Sequence, residues 1–307
     1  MDEKKSNEEL LGEHNSTSVI ECAVRCQREC SLIGFNPKIK KCRTHTKIFT
    51  SGVSNESGWR YYSYNSQDFT SRDCKDLQTD GHLNSGVYDI YPYETITSPV
   101  SVYCDMTTMN GGWTTIQKRI IGSLDFNRTW TEYKNGFGSP EQDVWVGNDV
   151  IHQLTKENSS SLYVSITLQN GTTLYEMYNQ FSVSNEAGKY QLFLAGPATG
   201  TLGKCIHVKF LKLGSNYVSH RDGMLNTVYT GGYLSGMYFS TPDRDNDRWS
   251  DGHCAALSSR RGGWWFNDCH YAFLNGPWSQ ESWWSPWDPV VESGTSVKGT
   301  TMMIRRR

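Results

Sequence analysis

Nine cysteines in 307 residues, most of them clustered, constrain this chain more than any other feature. Cys22, Cys26, Cys30 and Cys42 crowd into the first seventy residues, Cys74 and Cys104 follow, Cys205 stands apart, and Cys254 and Cys269 close the series. Cysteines in such groups are expected as disulfides made in an oxidising compartment. Sequons at Asn15, Asn55, Asn127, Asn158 and Asn170 point the same way, to a secreted glycoprotein. The opening MDEKKSNEELLGEH lacks the apolar stretch of a secretory signal. The cysteines and sequons outweigh it, so the expected location is extracellular, with the signal peptide absent from this sequence. Net charge is −2 with no basic block except Arg305-Arg306-Arg307, which argues against nucleic-acid binding. No run of about 18 apolar residues offers a membrane span.

Between Gly236 and His270 the sequence reads GMYFSTPDRDNDRWSDGHCAALSSRRGGWWFNDCH. Asp243, Asp245 and Asp247 place hard oxygen ligands at every second position, which suits calcium. A Cys254–Cys269 bridge would hold this acidic loop against Trp264-Trp265. An EF-hand is excluded, because its required Gly and bidentate Glu positions hold Arg248 and Cys254. A zinc site from His253-Cys254 and Cys269-His270 fits none of the usual ligand spacings.

The first seventy residues read as a separate small domain. Ser18-Val19-Ile20-Glu21 has the form of a capping box, followed by an apolar stripe of Val19, Ile20, Ala23 and Val24. Cys22 and Cys26 lie one helical turn apart, and Gly58-Trp59-Arg60-Tyr61-Tyr62-Ser63-Tyr64 alternates like a closing strand. Helix and cysteine spacing together resemble the PAN/apple module. Four cysteines allow three connectivities, and that resemblance implies Cys22–Cys42 with Cys26–Cys30. The expected organisation is a disordered leader over 1–14, this domain over 15–64, a polar linker over 65–70 and a large domain over 71–307.

In the large domain Leu162, Val164, Ile166 and Leu168 alternate, Asn170-Gly171 supplies a hairpin turn, and a second strand runs from Leu174 to Tyr178. Asn148 is expected to begin a short helix burying Val150, Ile151 and Leu154. Twenty-eight glycines predict abundant turns. The fold class is therefore α+β, with a central antiparallel sheet, short helices and long loops.

Four stretches carry a family resemblance: SRDCKDLQTDGHLNSGVYDIYP, VYCDMTTMNGGWTTIQKR, EYKNGFGSPEQDVWVGNDVIHQLT, and FSTPDRDND followed by GGWWFNDCHYAFLNG. In this order they resemble the fibrinogen-related domain family, which includes ficolins and tachylectins, over residues 71–307. The resemblance implies Cys74–Cys104 and Cys254–Cys269 bridges. It also implies a calcium site with side-chain oxygens from Asp245 and Asp247 and backbone carbonyls near Trp249 and Asp251, with Asp243 outside that set. The implied ligand site lies at Asp268-Cys269-His270, behind a cis Asp268–Cys269 bond that turns the Cys269 and His270 amides outward. Trp283, Trp284 or Trp287 would wall this site. Arg260, where sugar-binding relatives often carry an aromatic residue, would favour an anionic glycan or carboxylate. Residues 201–232 depart from the family as an insertion, and they leave Cys205 as a candidate intermolecular bridge or buried thiol. That bridge is the route by which an oligomer would form.

Ser258 and Ser259 have no base or oxyanion arrangement nearby, so a binding module is expected rather than an enzyme. With no heptads ahead of the large domain, the expected function is a secreted, calcium-dependent, lectin-like protein. It would recognise acetylated or anionic glycans on microbial or cell surfaces. The alternative is an extracellular protein- or receptor-binding module with no sugar ligand.

Overall fold

The computed structural model describes residues 10–24, 30, 32–45, 58–63, 71–93, 99–157, 159–195, 198–202, 234–258, 261–269, 272–278 and 297–307. Two compact units emerge: Met1–Arg72 with Tyr93–Pro99, and Asp73–Pro92 with Val100–Arg307.

The small unit holds strands β1 (Leu10–Asn15), β2 (Leu32–Asn36), β3 (Lys41–His45) and β4 (Arg60–Ser63) and helix α1 (Val19–Val24). The strands form an antiparallel sheet in the order β1-β3-β2-β4. Residues 10–14, expected as disordered leader, instead form most of β1, because their backbone pairs with β3. At the start of α1 the Glu21 amide donates to Ser18 Oγ at 3.1 Å, as a capping box requires. The Glu21 carboxylate, however, accepts from the Thr17 amide and hydroxyl rather than from Ser18. A Cys22–Cys42 disulfide, Cα atoms 5.3 Å apart, fastens α1 to β3 over a core of Cys30, Ile33 and Phe35. Cys26 and the linker residues 65–70 lie outside the described residues.

The large unit is built on a ten-stranded antiparallel sheet. Its main path comprises β5 (Gly86–Ile90), β6 (Val100–Asp105), β7 (Trp113–Arg119), β10 (Ser160–Leu168), β11 (Thr173–Val183), β12 (Leu192–Ala195) and β14 (Val297–Arg306). Short strands β8 (Phe137–Gly138), β9 (Val144–Trp145) and β13 (Thr199–Gly200) pair at its margins. The order is β12-β11-β10-β14-β7-β6-β5, so the last strand of the chain lies between β10 and β7. Leu162, Val164 and Ile166 of β10 are fully buried, as their alternation requires, and the chain reverses through Asn170-Gly171. β11 then runs on past Tyr178 to Val183.

Three short helices pack around this sheet: α2 (Cys74–Thr79), α3 (Trp130–Asn135) and α4 (Asn148–Thr155). The structure joins Cys74, at the start of α2, to Cys104 in β6. α4 buries Val150 and Ile151 but leaves Leu154 half-buried. Asn148 does not cap it, because its Oδ1 accepts from the buried Trp145 Nε1 at 3.1 Å. α3 carries a full capping box, with the Glu132 amide on Thr129 Oγ1 and the Glu132 carboxylate on the Thr129 amide.

Candidate functional site

The described residues of 234–278 hold almost no regular structure, and backbone hydrogen bonds, a disulfide and buried aromatic rings fix them in place. Ser240 and Trp264 exchange both backbone hydrogen bonds, at 2.9 and 3.0 Å. The Arg248 amide donates to the Asn267 carbonyl at 3.0 Å. The Cys254–Cys269 disulfide closes the segment on itself. Trp264, Trp265 and Phe266 are buried, and Trp265 Nε1 donates to the Tyr190 carbonyl. Only glycine fits before this triplet, since a Cβ on Gly263 would lie 2.6 Å from the Tyr133 ring.

Within this frame the acids take separate roles. Asp243 accepts the Trp130 amide at 2.9 Å and the Thr241 hydroxyl at 2.8 Å. It therefore ties the loop to the first turn of α3, where a carboxylate meets unpaired amides. Asp245 is exposed and accepts the Asp247 amide at 3.1 Å. Asp247 is half-buried and accepts the Trp249 amide at 2.9 Å and the Cys254 amide at 2.8 Å, one on each oxygen. Burial pushes its carboxyl above the usual aspartate range, the Cys254 and Trp249 amides offset part of that, and the Asp245 charge adds to it.

Asp245, Asp247 and His253 bring one ligand atom each within 4.8 Å of one another. Among the described residues no ion pair offsets either carboxylate. Two adjacent, uncompensated carboxylates on a covalently braced loop fit a hard divalent cation. The Trp249 carbonyl faces into its own turn, accepting from Gly252 at 3.4 Å, and Asp251 is exposed. His253, weighed in the sequence only as part of a rejected zinc site, lies beside the two acids, with its Nε2 3.0 Å from the Thr241 carbonyl. A cavity of about 380 Å³ opens beside the pair, lined by Lys189, Tyr238 and Arg248 among others.

Of the expected ligand site, Asp268 and Cys269 lie among the described residues, and the Cys269 amide departs from the expectation. The Cys269 amide is directed at Cys254 Sγ, 3.0 Å away, instead of outward. Cys269 has φ 59°, and its carbonyl accepts from the Asn267 amide, so the residue turns in on its own bridge. Asp268 is exposed. His270, Arg260, Trp283, Trp284 and Trp287 lie outside the described residues, as do Cys205, nearly all of the 201–232 insertion, Asn55 and Asn158. Asn15, Asn127 and Asn170 are exposed.

A fibrinogen-type globular unit is what the C-terminal strand at the sheet centre, the two bridges and the braced acidic loop describe. Residues 70–307 match the family of fibrinogen beta and gamma chains, C-terminal globular domain, and the chain belongs to that family. Human fibroleukin is 36% identical over 252 residues, covering 78% of this chain and 52% of that protein. Human angiopoietin-2 is 34% identical over 248 residues, covering 78% of this chain and 44% of that protein. The chain thus spans about half the length of these relatives. Among solved structures, lamprey fibrin D-dimer complexed with the peptide Gly-His-Arg-Pro-amide superposes with a TM-score of 0.60 at 31% identity. That match covers 77% of this chain and 73% of the fibrin chain.

These relatives correct the lectin expectation. The chain is similar to fibroleukin, angiopoietin-2 and fibrin, which favour the protein-binding alternative, so recognition of acetylated or anionic glycans is withdrawn. The shared family is one of non-enzymatic binding modules, in keeping with the expected class.

Proposed function

We propose that this chain is an extracellular protein-recognition module whose large unit binds a peptide segment of a partner. The observation that carries this reading is the likeness, over 77% of the chain, to a fibrin that holds a short peptide. A disulfide-braced loop region on a rigid sheet supports it, since such loops present binding groups with little ordering cost. Disulfides in both units, and the absence of any helix long and apolar enough to cross a membrane among the described residues, support a secreted protein.

Calcium belongs to this reading as a structural support. Asp245 and Asp247 would hold it, with carbonyl oxygens near Trp249 and Asp251 and water filling the remaining positions. The ion would supply positive charge that keeps the two carboxylates together. His270 and the tryptophans of 283–287 are proposed as pocket residues, and the exposed sequons as glycan carriers. The small unit is proposed as a PAN/apple-like, disulfide-stapled domain.

The test is to pan a displayed random-peptide library against the full chain in calcium. Enrichment of a shared motif, bound again as a free synthetic peptide, is the expected result. No enrichment over a blank surface contradicts the proposal.

A further inference from the structure

The loop after β7 holds two large apolar side chains in water. Ile120 is 48% and Ile121 52% exposed, although they are consecutive and follow a fully buried strand end. The backbone there has no freedom to tuck them in. The Asp143 carboxylate, itself 3% exposed, accepts the amides of Ile120, Ile121 and Gly122 at 2.7, 2.9 and 2.8 Å. Gly122 has φ 71°, and a Cβ there would lie 2.2 Å from the Trp278 indole nitrogen, so the turn is seated against that ring. Isolated exposed apolar residues are ordinary, but an adjacent pair fixed outward by a buried carboxylate forms a preorganised apolar knob.

Beside this knob lies a cleft of about 370 Å³. Arg119 forms its cationic floor, between the Phe126 ring at 4.3 Å and the Trp278 ring at 5.1 Å. Its Nη1 donates to the Leu274 carbonyl at 3.2 Å and also to that of Gly276. Burial brings its pKa down to about 10, so the guanidinium stays charged at neutral pH. Arg261, on the cleft wall, is exposed, and no ion pair or hydrogen bond engages its side chain among the described residues. Among the described lining residues Asp125 is the one acid, against two arginines, and the buried Asp143 carboxylate offsets part of the Arg119 charge, which leaves Arg261 as the uncompensated cation.

We infer that the 120–122 knob and the Arg119–Arg261 cleft form one docking surface for a partner segment that carries a carboxylate next to aliphatic side chains. Arg261 receives the carboxylate as a charge-assisted pair, the buried Arg119 holds the cleft floor in shape, and Ile120 and Ile121 cover the partner's apolar residues. The inference rests on the proposed peptide-binding function and names the surface and the chemistry of its partner.

The test uses the full chain and the peptide enriched from the displayed library. The enriched motif is expected to contain Asp or Glu beside Leu, Ile or Val. Changing that acid to its amide should weaken binding about tenfold, the loss of one charge-assisted contact. Arg261→Gln and Ile121→Ser should each weaken the parent peptide to a similar degree, with thermal melting unchanged because both side chains are exposed. A motif without an acid, or one bound equally by both variants, overturns this surface while leaving the peptide-binding function standing. No enrichment at all overturns both.

Discussion

Arg306, next to last in the chain, forms an ion pair with Asp76 in the first helix of the large unit. Its second guanidinium nitrogen lies 3.7 Å from Asp73, the residue that caps that helix by accepting the Lys75 and Asp76 amides. The final strand is thus hydrogen-bonded on both sides and clasped at its end to the unit's beginning. Arg306→Ala should lower stability by about 1 kcal/mol, since the pair is partly solvated. Removing residues 297–307 should abolish folding of the large unit, because it splits the sheet. Chemical denaturation of both variants checks this.

Asp143 sets the next expectation. Asp143→Ala leaves three amides of residues 120–122 without their acceptor. A loss of about 2–4 kcal/mol is expected for a buried charged acceptor of several amides. Asp143→Asn should recover part of this, because its carbonyl oxygen can still accept. An unchanged denaturation midpoint in the alanine variant contradicts the assigned role.

Local features of this fold are legible in the sequence, and nonlocal ones are not. The alternation through Leu162, Val164 and Ile166, the Asn170-Gly171 reversal and the short helix at Asn148 each depend on neighbouring residues only. The Thr129-x-x-Glu132 capping box was equally local and could have been read. The placement of β14 between β10 and β7 could not, because its pairing follows from the topology of the whole sheet. Asp143 looks like any loop acid, since the amides it gathers lie more than 19 residues back. Alternating Asp243, Asp245 and Asp247 drew attention to the proposed calcium loop, yet Asp243 is engaged by α3, and His253 instead lies beside Asp245 and Asp247. The Cys269 amide ran opposite to expectation because its local turn, not the pocket, decides where that N–H points.

Asp105 governs part of the acid behaviour. Burial alone would raise its pKa, but bonds from the Thr108 hydroxyl and amide and the Thr107 amide and hydroxyl hold it below the usual aspartate range. A depressed folded pKa contributes stability above the unfolded value of about 3.9 and loses it as pH falls through the folded pKa. Asp105→Asn should therefore lower stability at neutral pH and flatten the decline below about pH 4. Denaturation midpoints across that range, compared with the parent, provide the check. An equally steep acid limb in the variant excludes Asp105 as a source of the acid sensitivity.

Calcium should raise the melting temperature of the parent chain. Ligand at a hundredfold excess over its Kd stabilises by about 2.7 kcal/mol. Asp245→Asn and Asp247→Asn should each remove that increment. Without calcium, Asp247→Asn should be neutral or stabilising near pH 7, because the raised carboxyl pKa marks an ionised form that the fold disfavours. A calcium response that survives both substitutions places the ion elsewhere.

Hydrogen–deuterium exchange with the enriched peptide tests most directly whether the large unit recognises protein segments through its braced loops. The full chain, in calcium, should show slowed exchange in peptides covering 120–127 and 254–278 when the ligand is bound. The 10–45 region should be unaffected. Protection confined to the small unit, or none anywhere at saturating peptide, would contradict recognition by the large unit.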